Sequence, residues 1–310
     1  MNNGGFCSGK YILFSMLMTE RYPFIRFEAV SAPGEWDAMV VGEPLIAVLS
    51  EPIEHEGDAM DVNVVTDVVV TLRKLNDKRA LEPLEAEIER RDEQTRAVIA
   101  LSLGSFGDMR AVEPLLNLLY DEEALIRRAA AYALGDLGDQ RAVGPLMAIL
   151  DDSDFETRSN VVKALGLLGD RRAVPPLIAA LQQQEPLYRR VFIIEALDRL
   201  GDVCAVDALL ERLQDPCEEK EVRAAAIEVL GHFGAKRAVP PLLSCLYDRG
   251  DDMVYEMRWR AAVALGQIGD TQAIVPLRAF LSDPEPVMRM AVSGALRQLE
   301  MVRVVASPLS

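Results

Sequence analysis

The chain is poor in the residues that most often carry chemistry. Among 310 residues there are two histidines, His55 and His232, and only 6 % of the residues are aromatic. No Ser/His/Asp set, phosphate-binding glycine loop or paired-carboxylate site survives inspection. Four cysteines (Cys7, Cys204, Cys217 and Cys245) form no CxxC pair and no disulfide-framework spacing, which fits a reducing, cytoplasmic compartment. No apolar run approaches the roughly 20 residues that a membrane span requires. Residues 11–17 are apolar and follow Lys10, but Met18-Thr19-Glu20-Arg21 comes next instead of a small-residue cleavage site. Met18 therefore reads as a translation start, with residues 1–17 upstream of it. Basic residues are also in deficit: 33 Lys and Arg against 49 Asp and Glu give a net charge of −16. That balance argues against a nucleic-acid backbone or an anionic membrane as partner and suits a solvated surface or a partner with a basic patch.

What the chain has in abundance is repetition. Gly107-Asp108-Met109-Arg110-Ala111-Val112-Glu113-Pro114-Leu115 has near-copies whose Asp, or its equivalent, falls at 77, 108, 139, 170, 202, 235 and 270. The separations of 31, 31, 31, 32, 33 and 35 residues mark a stacked-repeat architecture, in which length reflects repeat number and not domain number. A degenerate first copy, Gly42-Glu43-Pro44-Leu45, carries an acidic insertion around His55 before the next copy. The expected division is an irregular extension or cap over 1–35, a repeat array over 36–300 and a frayed tail over 301–310.

Each repeat has two halves. The first is a short helix opening near Ala-Val-x-Pro, where proline's missing N–H costs nothing and the preceding Asp can cap. The second is keyed on an arginine: Arg96, Arg127, Arg158, Arg190, Arg223, Arg258 and Arg289. Apolar residues at three, seven and ten positions beyond each arginine make one stripe on a 3.6-residue helix. The sixth position is mostly small, as at Ala133, Ala196 and Ala264, and a glycine such as Gly138 follows as a left-handed C-terminal cap. The pattern predicts an all-α, right-handed solenoid of eight short helix pairs.

The pattern Gly-Asp-x-Arg-Ala-Val-x-Pro-Leu, followed by an Arg-x-x-Ala-Ala-x-Ala-Leu-Gly-x-Leu-Gly-Asp half, resembles the short HEAT-like repeats of the phycobilisome (phycocyanobilin) lyase group over about residues 36–300. That resemblance implies either a protein-binding scaffold in antenna biogenesis or turnover, or a lyase subunit. In the lyase case the implied assembly is a heterodimer of two such solenoids that attaches or isomerises a linear tetrapyrrole on an antenna-protein cysteine. Deoxyhypusine hydroxylase has similar repeats but binds two irons through four His-Glu pairs; here only His55-Glu56 is such a pair. A HEAT protein that partners an iron–sulfur assembly scaffold is also similar in type.

The arginines recur so regularly that structure accounts for them: a bidentate guanidinium can align adjacent units. Recognition is expected on the inner, concave helices, where the copies differ. One and five residues beyond the key arginine stand Arg128, Tyr132, Lys163, Glu195, Glu228 and Trp259. Their aromatic and charged side chains suit a protein partner, or the rings and propionates of a bilin as bound substrate. No resident cofactor is expected. Cys204, Cys217 and Cys245, within two adjacent repeats, are the only metal candidates, and they read as thiols scattered along the stack.

Overall fold

The structure, a computed structural model, describes residues 38–49, 59–89, 91–183, 186–248 and 252–306. The expected N-terminal extension, Cys7, His55 and the acidic insertion around it lie outside these residues. No strand occurs among the described residues; sixteen α-helices follow one another in eight pairs. The pairs are α1 (Ala38–Leu49) with α2 (Ala59–Leu75), α3 (Leu81–Glu87) with α4 (Glu93–Ser105), α5 (Val112–Leu118) with α6 (Ala124–Leu137) and α7 (Val143–Ala148) with α8 (Phe155–Leu168). Then come α9 (Val174–Leu181) with α10 (Leu187–Leu200), α11 (Val206–Gln214) with α12 (Lys220–His232), α13 (Val239–Tyr247) with α14 (Asp252–Ile268) and α15 (Ile274–Arg278) with α16 (Pro286–Ala306). The chain divides into two compact units, Met1–Ala164 and Leu165–Ser310, so the division falls inside α8.

Each unit is built around the stripe read from the sequence. In the first, Ile99, Leu103, Ala130 and Leu134 are fully buried with Leu115 and Leu146 of the short helices. In the second, Ile193, Leu197, Leu230 and Leu265 meet Leu177 and Leu242 in the same way. Full burial of one such Leu or Ile contributes about 1.5–3 kcal/mol, and a lone pair would leave half of the stripe in water. Stacking is what makes the repeat stable.

The repeated Gly-Asp-x-Arg-Ala element is the joint between pairs. Its glycine is left-handed, with φ of 62° at Gly107 and 74° at Gly138, and in the first copy Asn76 takes the same conformation at 51°. The aspartate then caps a single 3-10 turn: the Asp108 carboxylate accepts the Arg110 backbone N–H at 3.0 Å. The α-helix starts after that turn, at Val112. The expected cap is therefore present, one turn ahead of the helix proper. The arginine two residues on closes back onto the same carboxylate, with Arg110 Nε at 3.1 Å and Nη2 at 3.0 Å from Asp108. Charge-assisted bonds from Arg110 hold Asp108 down to a pKa of about 2; Asp139 and Asp170 are lowered for the same reason. In the copy that has Ala235 in place of the aspartate, no side chain caps the turn, and Arg237 reaches Asp207 of the preceding repeat instead.

The final helix departs from expectation. Residues 301–306 continue α16 to Ala306 where a frayed tail was anticipated. Glu300 stands eleven residues after Arg289, at the place where Gly138 stops α6 after Arg127. With a good helix former there, nothing turns the chain out. No described helix is long and apolar enough to cross a membrane.

Candidate functional site

The second helix of each pair carries two faces, one consumed by the stack and one left exposed. The consumed face is set by the key arginines. Arg127 donates Nη1 to the carbonyls of Asp121 and Glu122 in its own repeat, both at 2.8 Å. Its Nε and Nη2 donate to both oxygens of Asp152 in the following repeat, both at 2.7 Å. The next arginine, Arg158, donates to the Asp152 and Ser153 carbonyls, so Asp152 is held from both sides. Burial pushes the Asp152 carboxyl up, the Arg127 hydrogen bonds push it down, and the net direction is down. Arg96 closes on Asp121 through Nη2, Arg258 on Asp283 through Nη2 at 2.7 Å, and Arg190 on Glu218 and Glu219. These are clamps between neighbouring repeats, the aligning role their regularity suggested.

Small residues complete the consumed face. A Cβ added at Gly104 would stand 2.6 Å from the Ala133 Cβ and 2.8 Å from its Cα. At Gly266 it would stand 2.6 Å from the Ala295 Cα. The small sixth position therefore receives the glycine at the eighth position of the repeat before it. At one step the pair is replaced: Asp198 stands for the glycine and Val229 for the alanine, and Asp198 pairs with His232 Nδ1 at 3.1 Å.

The six candidate recognition residues divide evenly between the units. In the first, Tyr132 is 50 % exposed, Arg128 is half-buried and ion-paired with Glu156 of the next second helix, and Lys163 is half-buried. In the second, Glu195 and Glu228 are exposed and Trp259 is half-buried. Here the structure brings candidates together through a residue the sequence reading passed over. Arg260 Nη1 donates to Glu228 at 2.8 Å, its Nε and Nη2 to Glu256 at 3.0 and 2.7 Å, and its guanidinium lies 5.1 Å from the Trp259 ring centroid. The signal was available: Arg260 is the one basic residue in a column otherwise filled by Val98, Ala129, Asn160, Phe192, Ala225 and Ala291.

The cysteines are free; Cys204 and Cys217 are exposed and Cys245 is half-buried. Asp202 beside Cys204 raises its thiol, and burial raises that of Cys245, so neither is poised as a thiolate. Among the described residues no group of three or more His, Cys, Asp or Glu side chains is placed to hold a metal ion. The three cysteines are not brought together by the fold.

Comparison with known proteins agrees with this architecture. The family description "HEAT repeats" matches residues 81–158, 143–220, 174–254 and 206–297. The chain is 35 % identical over 118 residues to a deoxyhypusine hydroxylase of Aspergillus niger, a match covering 36 % of this chain and 34 % of that protein. It is 34 % identical over 113 residues to phycocyanobilin lyase subunit alpha of Picosynechococcus sp., covering 34 % of this chain and 41 % of the relative. The chain thus spans little more than a third of the length of either curated relative. The crystal structure of an engineered protein shares the fold, with a TM-score of 0.59 at 17 % identity over 95 % of this chain and 89 % of that one. Capped helix pairs, arginine clamps between neighbours and a family match running from residue 81 to residue 297 lead to one assignment: the chain belongs to the HEAT-repeat family.

Proposed function

We propose that the chain is a protein-binding HEAT-repeat scaffold, acting in the cytoplasm in the biogenesis or turnover of antenna pigment–protein complexes. The observation that carries this reading is a division of labour on the second helices. Regular positions are used up in clamps and close packing, whereas Arg128, Tyr132, Lys163, Glu195, Glu228 and Trp259 vary between copies and stand at least partly in solvent. In stacked-repeat proteins the second helices line the inner, concave surface that partners use, and aromatic and Arg side chains supply most of the binding energy there. The acidic balance of −16 favours a basic patch on the partner over nucleic acid or membrane.

A second reading is favoured by the likeness to phycocyanobilin lyase subunit alpha: one subunit of a heterodimeric bilin lyase, paired with a second HEAT-repeat chain. Such a subunit would act by holding a bilin and an acceptor cysteine in register, which needs no catalytic triad of its own. One experiment separates the two. The chain is co-expressed with an antenna-protein subunit, a second HEAT-repeat subunit and a linear tetrapyrrole, then purified by a tag on the antenna subunit. Co-purification that is lost in an Arg128→Ala/Tyr132→Ala/Trp259→Ala variant, with no covalent visible absorbance, supports the scaffold. Covalent absorbance that depends on the chain supports the lyase subunit, and neither signal with any antenna subunit tested rejects both.

A further inference from the structure

Among the described residues the clamp at Arg223 is open, and Arg223 borders a cavity. Where the key arginine closes on an aspartate of the next repeat, the two lie 25 residues apart, as in Arg96–Asp121, Arg127–Asp152 and Arg258–Asp283. In those repeats the first helix is short: α5 has seven residues, α7 six and α15 five. The chain then curls through non-helical turns that bring the aspartate back. In α11 and α13 the helix runs on for nine residues, and the aspartate 25 residues beyond the arginine becomes an extended C-terminal cap: Asp215 at φ −70°, ψ 115° and Asp248 at φ −65°, ψ 132°. Neither Asp215 nor Asp248 takes the clamp position. For Arg190 the loss is made good by Glu218 and Glu219, 28 and 29 residues on. Arg223 has no such replacement among the described residues. Its Nε donates to the Leu213 carbonyl at 3.1 Å, and Nη1 and Nη2 have no partner there. Asp251 and Asp252 occupy the corresponding offsets in the sequence, with side chains outside the described residues.

Arg223 lines a cavity of 630 Å³ whose other walls include Leu213, Pro240, Pro241, Cys245, Tyr247 and Asp248. That volume suits a small ligand or a few side chains. The walls are suited to a peptide. Pro240 and Pro241 give apolar surface without backbone N–H groups to satisfy, and Tyr247 is 59 % exposed and supported edge-on by Phe280 at 5.1 Å. Burial pushes the Cys245 thiol up, so it stays neutral and leaves the Arg223 charge undiminished. Asp248 adds a negative group to the same lining. A lone anion would meet attraction and repulsion together, whereas a segment bearing a carboxylate beside a cation would satisfy both.

We propose that this cavity is a docking pocket for a peptide segment of a partner protein in which a Glu or Asp side chain is flanked by a Lys or Arg. The partner's carboxylate takes the place on Arg223 that Asp283 takes on Arg258, accepting from the terminal Nη1 and Nη2 groups while Nε stays on the Leu213 carbonyl, as Arg258 Nε stays on that of Leu246. The flanking cation meets Asp248. This pocket is separate from the second-helix positions that carry the scaffold reading, so either can fail alone.

The test is titration of the full chain with acetyl-Leu-Glu-Lys-amide, followed through the Arg223 Nε–H resonance in an ¹⁵N-labelled sample, with acetyl-Leu-Gln-Lys-amide, acetyl-Leu-Glu-Gln-amide and unblocked Leu-Leu as comparison probes. Saturable shifts are expected for the Glu-Lys peptide. Binding should be roughly tenfold weaker for the Gln-Lys peptide, consistent with loss of a charge-assisted bidentate contact, and absent in Arg223→Gln when followed by the backbone amides of 242–248. Asp248→Asn should lower affinity for Glu-Lys but not for Glu-Gln. Equal binding of the Glu-Lys and Gln-Lys peptides, or binding by unblocked Leu-Leu alone, overturns the proposal. So does an Asp251→Asn/Asp252→Asn variant that gains peptide affinity or loses stability, since that result would show the clamp closed from within the chain.

Discussion

The step from α4 to α6 and the step from α10 to α12 are the same joint built in two ways. At the first, Gly104 packs on Ala133 so closely that a methyl group would not fit, and Arg96 closes on Asp121 across the repeat. At the second, the small pair has become Asp198 and Val229, the approach is bridged by Asp198 and His232, and Arg190 reaches past Asp215 to Glu218 and Glu219. The stripe of buried leucines is unchanged between them: Leu103 and Leu197 are both fully buried. The core therefore fixes where helices stack, and the joint chemistry is free to vary so long as its charges find partners. The open clamp at Arg223 sits one repeat after this altered joint, in the stretch where the copies depart most from one another.

The comparison can be broken most sharply at a regular joint. Gly266→Leu forces a side chain into the Ala295 backbone, and overpacking of this kind should cost about 3 kcal/mol, read as a fall in the chemical-denaturation midpoint of the second unit. Asp198→Leu, at the equivalent position of the altered joint, should cost well under half as much, because no glycine-sized gap exists there. An equal loss for the two variants would show that the joints are alike after all.

Next in size is the clamp. Arg127→Ala leaves Asp152, whose side chain is 8 % exposed, without its bidentate partner; leaving such a buried acceptor unsatisfied should cost about 2 kcal/mol. Arg223→Ala loses one bond to a carbonyl and should cost under about 1 kcal/mol. Thermal unfolding of the two variants side by side decides between a closed and an open clamp, and a larger loss for Arg223→Ala would reverse their assignment.

Smaller effects test the capped turn. Asp202→Ala removes the carboxylate that accepts the Cys204 N–H at 2.9 Å and should cost about 1 kcal/mol. Ala235→Asp should stabilise by a similar amount, because it restores the cap missing from that copy. The smallest effect is acid dependence. Asp108 is held down to about 2 from its ordinary 3.8, so its contribution is fully present above the unfolded value. It is lost as pH falls through that window toward about 2. Wild type and Asp108→Asn should therefore differ in melting temperature at pH 6 and converge near pH 2; a gap that widens on acidification would contradict the Asp108–Arg110 pairing.

Much of the fold was legible because it obeys short-range rules. The spacing of Arg127, Ala130, Leu134 and Leu137 states the helical period and its buried face, and Gly138 states where the helix must stop. The same rule, applied to Glu300, would have carried α16 on to Ala306. The site was less legible because its contacts join residues one repeat apart. Nothing local to Arg127 names Asp152 as its partner, and nothing local to Gly104 names Ala133. Arg260 could have been found as the odd residue in its column, but its convergence on Glu228, Glu256 and Trp259 depends on how two second helices lie against each other.

By itself, then, the sequence determined the number of helix pairs, where most of the second helices stop and the face each buries, because caps, glycine stops and a 3.6-residue stripe act within a dozen residues. Only the tertiary structure decided which clamps close and which stays open. That outcome turns on the greater length of α13, nine residues against five to seven where the clamp closes on an aspartate, and its effect exists only once the repeats are stacked.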